Sequence, residues 1–301
     1  MIRIDDLRIF VQTADAGSFS AAARQLDITP ALASTSILRL ERELGTRLFV
    51  RSTRSMRLSD DGERYLPHAR AALAAVGDGD QALAHGRGEI GGLLRLSAPS
   101  DLGRNVLLPW LDAFQAKYPK VSLHLRVSDR AIDLRRQPVD AGVRYGVLND
   151  PSLVAQALAP HNRRTLCASP DYLQRHGTPK TPEDLLRHNC LRFVWGDQIL
   201  ERWNFHLARG LHAVTVSGDR VSDDADVVRR WAIAGHGVVY KSHIDVADDI
   251  ATERLVSIFP HSYGEAAPLN LVTAHRSQLS PVILALRDFL HERCNAAGNL
   301  A

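Results

Sequence analysis

The sequence predicts an α/β fold preceded by a separate, mainly helical N-terminal segment. Residues 1–58 show helical spacing of apolar residues and then a short hairpin pattern. Residues 59–87 form one long amphipathic segment, and strands alternate with helices over residues 92–301. A chain of 301 residues is long for one compact core. We therefore expect separate domains with these three ranges as boundaries.

The composition is that of an ordinary globular protein. Hydrophobic residues make up 45% and charged residues 24%, which argues against disorder. The formal net charge of +3 does not by itself indicate a nucleic-acid partner, but residues 29–57 hold six Arg and only two Glu. No apolar run approaches the ~20 residues that span a membrane, and acids interrupt the N-terminus where a signal peptide would be apolar. We expect a cytoplasmic protein without a membrane partner.

The sequence lacks the motifs of common enzymes. It has no G-x-S-x-G, H-E-x-x-H or C-x-x-C, and its thirteen His show no metal-ligand spacing. Residues 86–91 match G-x-G-x-x-G, but a predicted helix precedes them and a strand follows, the reverse of a nucleotide site. Cys167, Cys190 and Cys294 are far apart and odd in number, so we interpret them as buried structural thiols, with a redox switch as the alternative. We predict no catalytic activity, no metal and no cofactor.

Three short helices account for most of the first 58 residues. The first ends at Gly17, a suitable C-cap, and the second covers residues 18–26. Thr29 is a good N-cap for the third, with Pro30 at the first helical position, where its missing N–H does no harm. Gly45 ends this third helix.

The third helix has one apolar line and one side of small and basic residues. At about 100° per residue the core line is Ala33, Ile37, Leu40 and Leu44. The opposite side carries Ala31, Thr35 and Arg42, flanked by Ser34 and Arg39. Residues 48–51 and 56–58 then read as a small β-hairpin. A helix after a short turn, with small outward residues and arginines beside it, is typical of a recognition helix in the DNA major groove. The alternative is a solvated helix face with a loose cluster of Arg.

A heptad-like pattern follows the hairpin. Ser59 is a suitable N-cap, and the apolar positions of the helix are Leu66, Ala69, Leu73 and Val76. We interpret this stripe as a seam for a partner helix, which would make the protein a homodimer or homotetramer. The alternative is that the stripe packs on its own domain.

The remaining sequence alternates between strands and helices. Strands are predicted at 93–98, 121–127, 140–145, 164–168, 190–194, 213–217, 237–240 and 269–273, and helices at 106–118, 224–234 and 281–293. Two of these strands lead into helices at Ser100 and at Ser222-Asp223. Helix N-termini at the carboxyl ends of strands form polar crevices suited to small ligands. Simple N-capping is the alternative role of both serines.

Several motifs in this order of elements resemble the LysR-type transcriptional regulators. In the N-terminal part they are LRIF (7–10), AGSFSAAARQL (16–26), SxxILRLERELGTRLFVRSTRSMRL (34–58) and DDGERYL (60–66). In the C-terminal part they are GLLRLSAPSDLG (92–103), LPWLDAFQAKYPKVSL (108–123), DAGVRYG (140–146) and AGHGVVYKS (234–242). The resemblance covers nearly the whole chain.

The resemblance implies a winged helix-turn-helix, a dimerising linker helix and a two-lobed effector domain like the periplasmic binding proteins. The family's DNA-contacting positions fall on Ser20, Thr29, Pro30, Ala31, Ser34, Thr35, Arg51, Thr53 and Arg54, and the charge pattern adds Arg39. Many members have a polar residue at the position of Ala31 and a basic one at that of Thr35, so this chain is expected to make fewer direct hydrogen bonds to bases.

The resemblance also implies a small-molecule effector between the two lobes. The cleft positions are Ser97, Pro99, Ser100, Arg144, Phe193, Trp195 and Asp223. For Arg144 a surface salt bridge is the alternative role. The expected partners are double-stranded DNA with an interrupted palindrome, an effector, a second copy of the chain and, for an activator, RNA polymerase. An enzyme with a DNA-binding appendage and a solute-binding module are the competing functions, but the first lacks a nucleophile and base and the second lacks an export signal.

Overall fold

The computed structural model describes residues 1–51, 56–85, 90–130, 139–147, 150, 153–208, 210–274 and 279–298. These residues fall into two compact units, one containing the described residues up to 85 and the other those from 90 onward. Each unit has its own hydrophobic core. Within the described ranges, no helix is both long and apolar enough to cross a membrane.

The first unit contains four helices and a hairpin. They are α1 (Ile4–Ala16), α2 (Phe19–Gln25), α3 (Pro30–Leu44), β1 (Phe49–Arg51), β2 (Met56–Leu58) and α4 (Asp60–His85). The Ser18 hydroxyl accepts a hydrogen bond from the Ala21 N–H at 3.1 Å, and Thr29 caps α3 in the same way through Leu32 at 3.2 Å. Gly45 ends α3 in the left-handed conformation at φ +67°, which costs glycine no steric strain. The predicted helix ends are confirmed.

Aromatic packing and one carboxylate join the helices of this unit to the hairpin. Phe10 is fully buried, and its ring meets that of Phe49 edge-on at 5.6 Å between centroids. The Glu41 carboxylate on α3 accepts hydrogen bonds from the backbone N–H groups of Leu48 at 2.8 Å and Phe49 at 3.2 Å. The hairpin is therefore fixed to α1 by packing and to α3 by charge-assisted hydrogen bonds.

The apolar stripe of α4 mostly packs on its own domain. Ala69 is only 1% exposed and belongs to the core of the first unit, and Leu66 and Leu73 pack against that core. Val76 is 41% exposed. The predicted seam therefore needs correction at Ala69, because the core of the first unit already buries a methyl group that the heptad pattern assigned to a partner.

The start of α4 lies unusually close to the hairpin. The Ser59 hydroxyl donates to the Arg47 carbonyl at 2.5 Å and accepts from the Gly62 N–H at 2.9 Å. A Cβ atom added to Gly62 would stand 2.1 Å from the Leu48 carbonyl oxygen. Since that oxygen belongs to the backbone, the contact cannot be relieved by a side-chain rotation.

We predict that Gly62→Ala lowers the free energy of unfolding by about 1–3 kcal/mol, the usual cost of inserting a methyl group into a packed site. The matched control is Gly77→Ala on the same helix, where no atom lies within 4 Å of the added Cβ. That control should raise stability by roughly 0.5–1 kcal/mol through helix propensity. Urea unfolding with an unchanged m-value measures both, and equal stability of the two variants would refute the close packing.

The N-terminal and C-terminal parts of the second unit together form one lobe, which we call the first lobe. Its elements are β3 (Gly91–Ala98), α5 (Ser100–Leu102), a π-helical turn (Gly103–Leu107), α6 (Leu108–Lys117), β4 (Lys120–Val127), β5 (Ala141–Tyr145) and β6 (Val154–Ala159), and, near the C-terminus, β15 (Leu269–Thr273) and α10 (Pro281–Gly298). The sheet order is β4-β3-β5-β15-β6. Strands β4, β3 and β5 are parallel, and β15 is antiparallel to both of its neighbours. Residues of α6 and α10 share one core with the sheet.

The chain between β6 and β15 forms the second lobe. Its helices and strands are β7 (Arg164–Ala168), α7 (Pro170–His176), β8 (Arg192–Trp195), β9 (Gln198–Leu200), β10 (Arg202–Leu207), β11 (Gly210–Thr215), β12 (Val221–Ser222), α8 (Ala225–Ile233), β13 (Val239–Ser242), α9 (His243–Ala251) and β14 (Val256–Ser257). Strand β7 pairs antiparallel with β13 and β14, and β8 pairs parallel with β12. Two apolar clusters form its core.

The chain crosses between the lobes twice, and the two crossings are bonded to each other. The Ala267 N–H donates to the Asn162 carbonyl at 2.8 Å, beside an antiparallel bridge between Arg163 and Ala266. The Asn162 amide donates to the Ala267 carbonyl at 2.6 Å and to the Ser242 hydroxyl at 2.9 Å. The crossings therefore act as one hydrogen-bonded connection rather than two independent tethers.

The two-lobed α/β architecture agrees with the prediction, but one helix cap differs. Helix α8 begins at Ala225, and its N-cap is Asp224, whose carboxylate accepts from the Asp226 N–H at 2.9 Å. The predicted range 224–234 agrees with α8, but Ser222 is not its N-cap, because the Ser222 hydroxyl accepts from the Asp224 N–H at 3.1 Å. Helices α7 and α9 and strands β6, β9, β10 and β14 were not predicted.

Candidate DNA-binding and effector sites

The outward face of α3 is small and apolar. Ala31, Thr35 and Arg42 are exposed, as are Leu32 and Leu38 at 47% each. The sequence pattern missed the two leucines, although both fall off the core line, which was the available signal. The Thr35 hydroxyl donates to the Ala31 carbonyl at 2.9 Å and so points along the helix. The face therefore offers methyl groups and close backbone approach rather than fixed polar contacts.

The remaining predicted DNA-contacting residues divide into two groups. Ser20 on α2 and Thr29 and Pro30 at the start of α3 are exposed, and Ser34 is half-buried. The side chain of Arg51 and the residues Thr53 and Arg54 lie outside the described residues. The structure thus brings the helix positions together on one surface beside the base of the hairpin.

Arg39 is engaged inside the domain. Its guanidinium binds both oxygens of the Asp6 carboxylate, with Nε donating at 2.7 Å, and Asp6 is buried. Hydrogen bonding from Arg39 outweighs burial and lowers the pKa of Asp6. The ionised pair therefore stabilises the fold at neutral pH, and this contribution is lost as pH falls below the usual range of aspartate. Arg39 is thus occupied by Asp6 while 37% of its side chain remains exposed, and its contact with DNA stays a prediction.

The other arginines of this segment are not neutralised by nearby acids. Arg42, Arg47 and Arg57 are exposed, and no described carboxylate lies within 4.0 Å of them. Of the two acids in the segment, Glu41 holds the hairpin amides and Glu43 pairs with the terminal amine of Met1. The surface around α3 is consequently positive.

We predict that Arg39→Gln is less stable than the double variant Asp6→Asn/Arg39→Gln. The single change leaves a buried carboxylate without a counter-charge, and the second change removes that charge. Urea unfolding measures the difference. If the role of Arg39 is to hold Asp6, the double variant binds operator DNA like the wild type. A double variant of recovered stability that has lost DNA affinity would instead make Arg39 a direct contact.

In the second unit, strands β3 and β5 bring Ser97 and Arg144 together. The Arg144 guanidinium donates to the Ser97 hydroxyl at 2.8 Å and to the Val143 carbonyl at 2.7 Å. Burial lowers the pKa of Arg144, and the nearby Asp129 carboxylate acts against that shift. No described carboxylate lies within ion-pairing distance of this guanidinium, which has five N–H donors. The predicted alternative, a surface salt bridge, is therefore not what the described residues form.

Ser100 and Asp129 of the first lobe meet the N-terminus of α8 in the second. The Ser100 N–H donates to one Asp129 oxygen at 2.8 Å, and the Ser100 hydroxyl donates to the other. The Ala225 N–H reaches the same second oxygen at 2.8 Å and the Ser100 hydroxyl at 3.0 Å. Ser100 thus caps a helix of the opposite lobe and not its own, whose N-cap is Pro99.

The remaining predicted cleft residues lie beside this junction. Phe193 on β8 is paired with Ser222 on β12, two residues before the N-cap of α8, and it packs partly into the core of the second lobe. Trp195 and Asp223 are exposed. No contact in the described structure joins Phe193 or Trp195 to Arg144, so the aromatic pair and the Ser97–Arg144 pair are separate groups.

A buried charge cluster joins the two lobes next to the cleft. The Lys241 ammonium lies 2.5 Å from the Asp101 carboxylate of the first lobe and 3.7 Å from Asp245. The Tyr145 hydroxyl of the first lobe donates to Asp245 at 2.6 Å. Burial opposes the charge on Lys241, but Asp101 and Asp245 raise its pKa overall. Burial raises the pKa of Asp245 to about 6. Sequence inspection missed this cluster because its members are far apart in the chain.

A surface cavity of about 420 Å³ lies elsewhere on the second unit and contains none of the predicted effector residues. Its guanidinium groups are already paired: Arg229 with Asp249, Arg230 with Asp226 and Arg254 with Asp248. A group of three or more possible metal ligands does not occur among the described residues. All three cysteines are buried and free, as predicted, and burial raises the pKa of each thiol to about 12.

Two family models match the sequence. One described as "LysR substrate binding domain" matches residues 87–295, and one described as "Bacterial regulatory helix-turn-helix protein, lysR family" matches residues 4–63. The chain is 34% identical over 277 residues to the HTH-type transcriptional regulator DmlR of Escherichia coli strain K12, which covers 92% of this chain and 89% of the relative. It is 35% identical over 296 residues to the probable HTH-type transcriptional regulator LtrA of Klebsiella pneumoniae, covering 96% and 94%.

Solved structures show the same similarity over the full length. The LysR-type transcriptional regulator CrgA of Neisseria meningitidis aligns with a TM-score of 0.60 at 30% identity, over 98% of this chain and 99% of the other. The full-length Vibrio cholerae virulence activator AphB, a member of the LTTR protein family, aligns with a TM-score of 0.59 at 25% identity, over 96% and 98%.

Proposed function

Since this chain belongs to the LysR family of bacterial transcriptional regulators, we propose that it reads its operator with α3 and responds to an effector held by Ser97, Ser100 and Arg144. The protein is a DNA-binding regulator with a substrate-binding effector domain and not an enzyme. It acts in the cytoplasm, where its DNA is. The observation that carries the DNA-binding proposal is the small, apolar outward face of α3 beside arginines that no described acid neutralises.

The proposed mode of reading DNA follows from that face. Small side chains at Ala31 and Thr35 let the helix backbone approach base edges, and Leu32 and Leu38 suit contact with thymine methyl groups. Ser20, Thr29, Pro30 and Ser34 adjoin the same surface. Arg42, Arg47 and Arg57 are placed for phosphates. Arg51, Thr53 and Arg54 belong to the hairpin segment, whose tip suits a minor groove.

We predict that Arg54→Ala weakens binding across DNA sequences and reduces the log–log salt slope by about 0.9, the effect of losing one phosphate contact. A suitable assay is fluorescence anisotropy over a salt series, with DNA from upstream of the protein's own gene. The matched control is Arg202→Ala, an exposed arginine on β10 of the effector domain, which should leave the slope unchanged. If Arg54→Ala behaves like this control, Arg54 does not contact DNA.

Assembly is proposed to use the part of α4 that its own domain leaves uncovered. LysR-type regulators are oligomeric, and Val76 is the member of the apolar stripe that remains exposed. Pairing of two α4 helices would relate two α3 helices by a dyad, so the operator would be an interrupted palindrome. A tetramer would pair two such dimers, and contact with RNA polymerase applies if the protein activates transcription.

We predict that Val76→Asp lowers the oligomeric state while the first unit stays folded, because the new charge would be buried only in the assembled seam. The control is Ala71→Asp, an exposed position about 180° from the centre of the stripe. Analytical ultracentrifugation reports the assembly, and circular dichroism checks the fold. If Val76→Asp forms the normal oligomer, α4 does not provide the proposed seam.

The effector proposal rests on the Ser97–Arg144 pair and on the cap that Ser100 places on α8. A guanidinium without a carboxylate partner beside a helix N-terminus attracts a negatively charged or hydrogen-bond-accepting ligand. Pro99 shapes the turn into Ser100, and Phe193, Trp195 and Asp223 border the same junction. Binding can change transcription only if the ligand prefers one arrangement of the protein over another.

A further inference from the structure

The junction between the lobes contains one carboxylate whose two oxygens are held by both lobes. One Asp129 oxygen accepts from the Ser100 N–H at 2.8 Å. The other accepts from the Ser100 hydroxyl and from the Ala225 N–H at 2.8 Å. Two of these donors belong to the first lobe and the third to the first turn of α8 in the second lobe.

Three basic side chains act on this carboxylate. Asp129 acts electrostatically on Arg104, Arg144 and Lys241, in each case favouring the charged form of the base. Arg104 and Lys241 have other carboxylate partners, Asp224 at 2.9 Å and Asp101 at 2.5 Å. Arg144 has none among the described residues. The junction is therefore a site that binds a carboxylate, and the chain's own carboxylate fills it.

We propose that Asp129 is an internal ligand that holds the two lobes together, and that an effector acts by displacing it. This inference rests on the proposed effector response and adds its mechanism. A ligand that replaces Asp129 has to accept from the same three donors near the Arg144 guanidinium, which is the chemistry of a carboxylate or another oxyanion. Because Asp129 is attached to the site, it competes at a high effective concentration and sets a threshold that the effector has to exceed.

The test uses the full-length protein and hydrogen–deuterium exchange of the segment that starts α8. Asp129→Ala should raise the exchange of the Ala225 amide roughly tenfold, because its charge-assisted hydrogen bond is lost, whereas the Asp226 amide keeps the Asp224 carboxylate as an acceptor. Sodium formate, which fits the space left by the carboxyl group, should restore protection relative to sodium chloride at the same ionic strength. Asp112→Ala, an exposed aspartate on α6, should match the wild type under both salts.

Asp129→Asn separates the effect of losing the negative charge from the effect of leaving a space. It keeps the shape of the side chain but removes the charge and sets an NH₂ group against the donors at one of the two oxygen positions, so exchange should rise, and formate should have no effect because no space is free. This variant also decides the matter if Asp129→Ala does not fold. Unchanged exchange in the asparagine variant overturns the latch, and raised exchange in the alanine variant that formate does not reverse overturns the carboxylate site.

Operator binding by the same preparations separates this inference from the function it rests on. If the wild type binds its upstream DNA and the Asp129 variants show wild-type exchange, only the latch proposal is refuted. If the exchange results are as expected but no DNA is bound, the regulator proposal fails while the latch remains. Removal of the latch should also change the length of the operator footprint without any effector, since one of the contacts between the lobes is then lost.

Discussion

Burial of Lys241 between carboxylates of both lobes is the constraint on which the effector domain depends. Its ammonium is 2.5 Å from Asp101 and 3.7 Å from Asp245, and a buried cation without partners is strongly destabilising. Arg229 repeats the arrangement, with Asp249 at 2.6 Å in its own lobe and Asp101 at 3.8 Å in the other. The ends of β3 and β5, which carry the cleft residues, are thus held against the second lobe by charge as well as by packing.

The contacts between the lobes differ in the free energy that is needed to break them. The Lys241–Asp101 pair is buried, whereas Arg104 and Asp224, which pair at 2.9 Å, remain 44% and 32% exposed. Exposed pairs contribute about 0–1 kcal/mol, and separation of a buried pair costs several times more. Any rearrangement of the lobes therefore breaks the exposed contacts first and leaves the buried cluster and the bonded crossings as the pivot.

Sequence reasoning succeeded where the signal is local. Caps at Thr29 and Gly45 and the alternating residues of β4 depend on neighbours within a few positions, so the pattern specifies them. Arg39 was assigned to DNA because its partner Asp6 lies 33 positions away and no spacing rule connects them. Ala69 was assigned to a seam because a heptad pattern does not specify which helix buries its alanine.

The three donors around Asp129 come from distant segments, and two of them are backbone groups. Sequence patterns do not show that such groups lie close together. Strand β10 was not predicted, although the alternation of Trp203 and Phe205 with polar residues indicates a strand.

The sheet order of the first lobe has a consequence for synthesis on the ribosome. Strand β15 lies between β5 and β6, yet the whole second lobe is translated between β6 and β15. Until β15 is synthesised, β6 has no strand to pair with and β5 has one unpaired edge. Unpaired strand edges are prone to incorrect pairing. The second lobe, whose strands and helices are contiguous in the chain, can fold before the first is complete. The second lobe can thus be complete in the nascent protein while the first lobe still lacks β15 and α10.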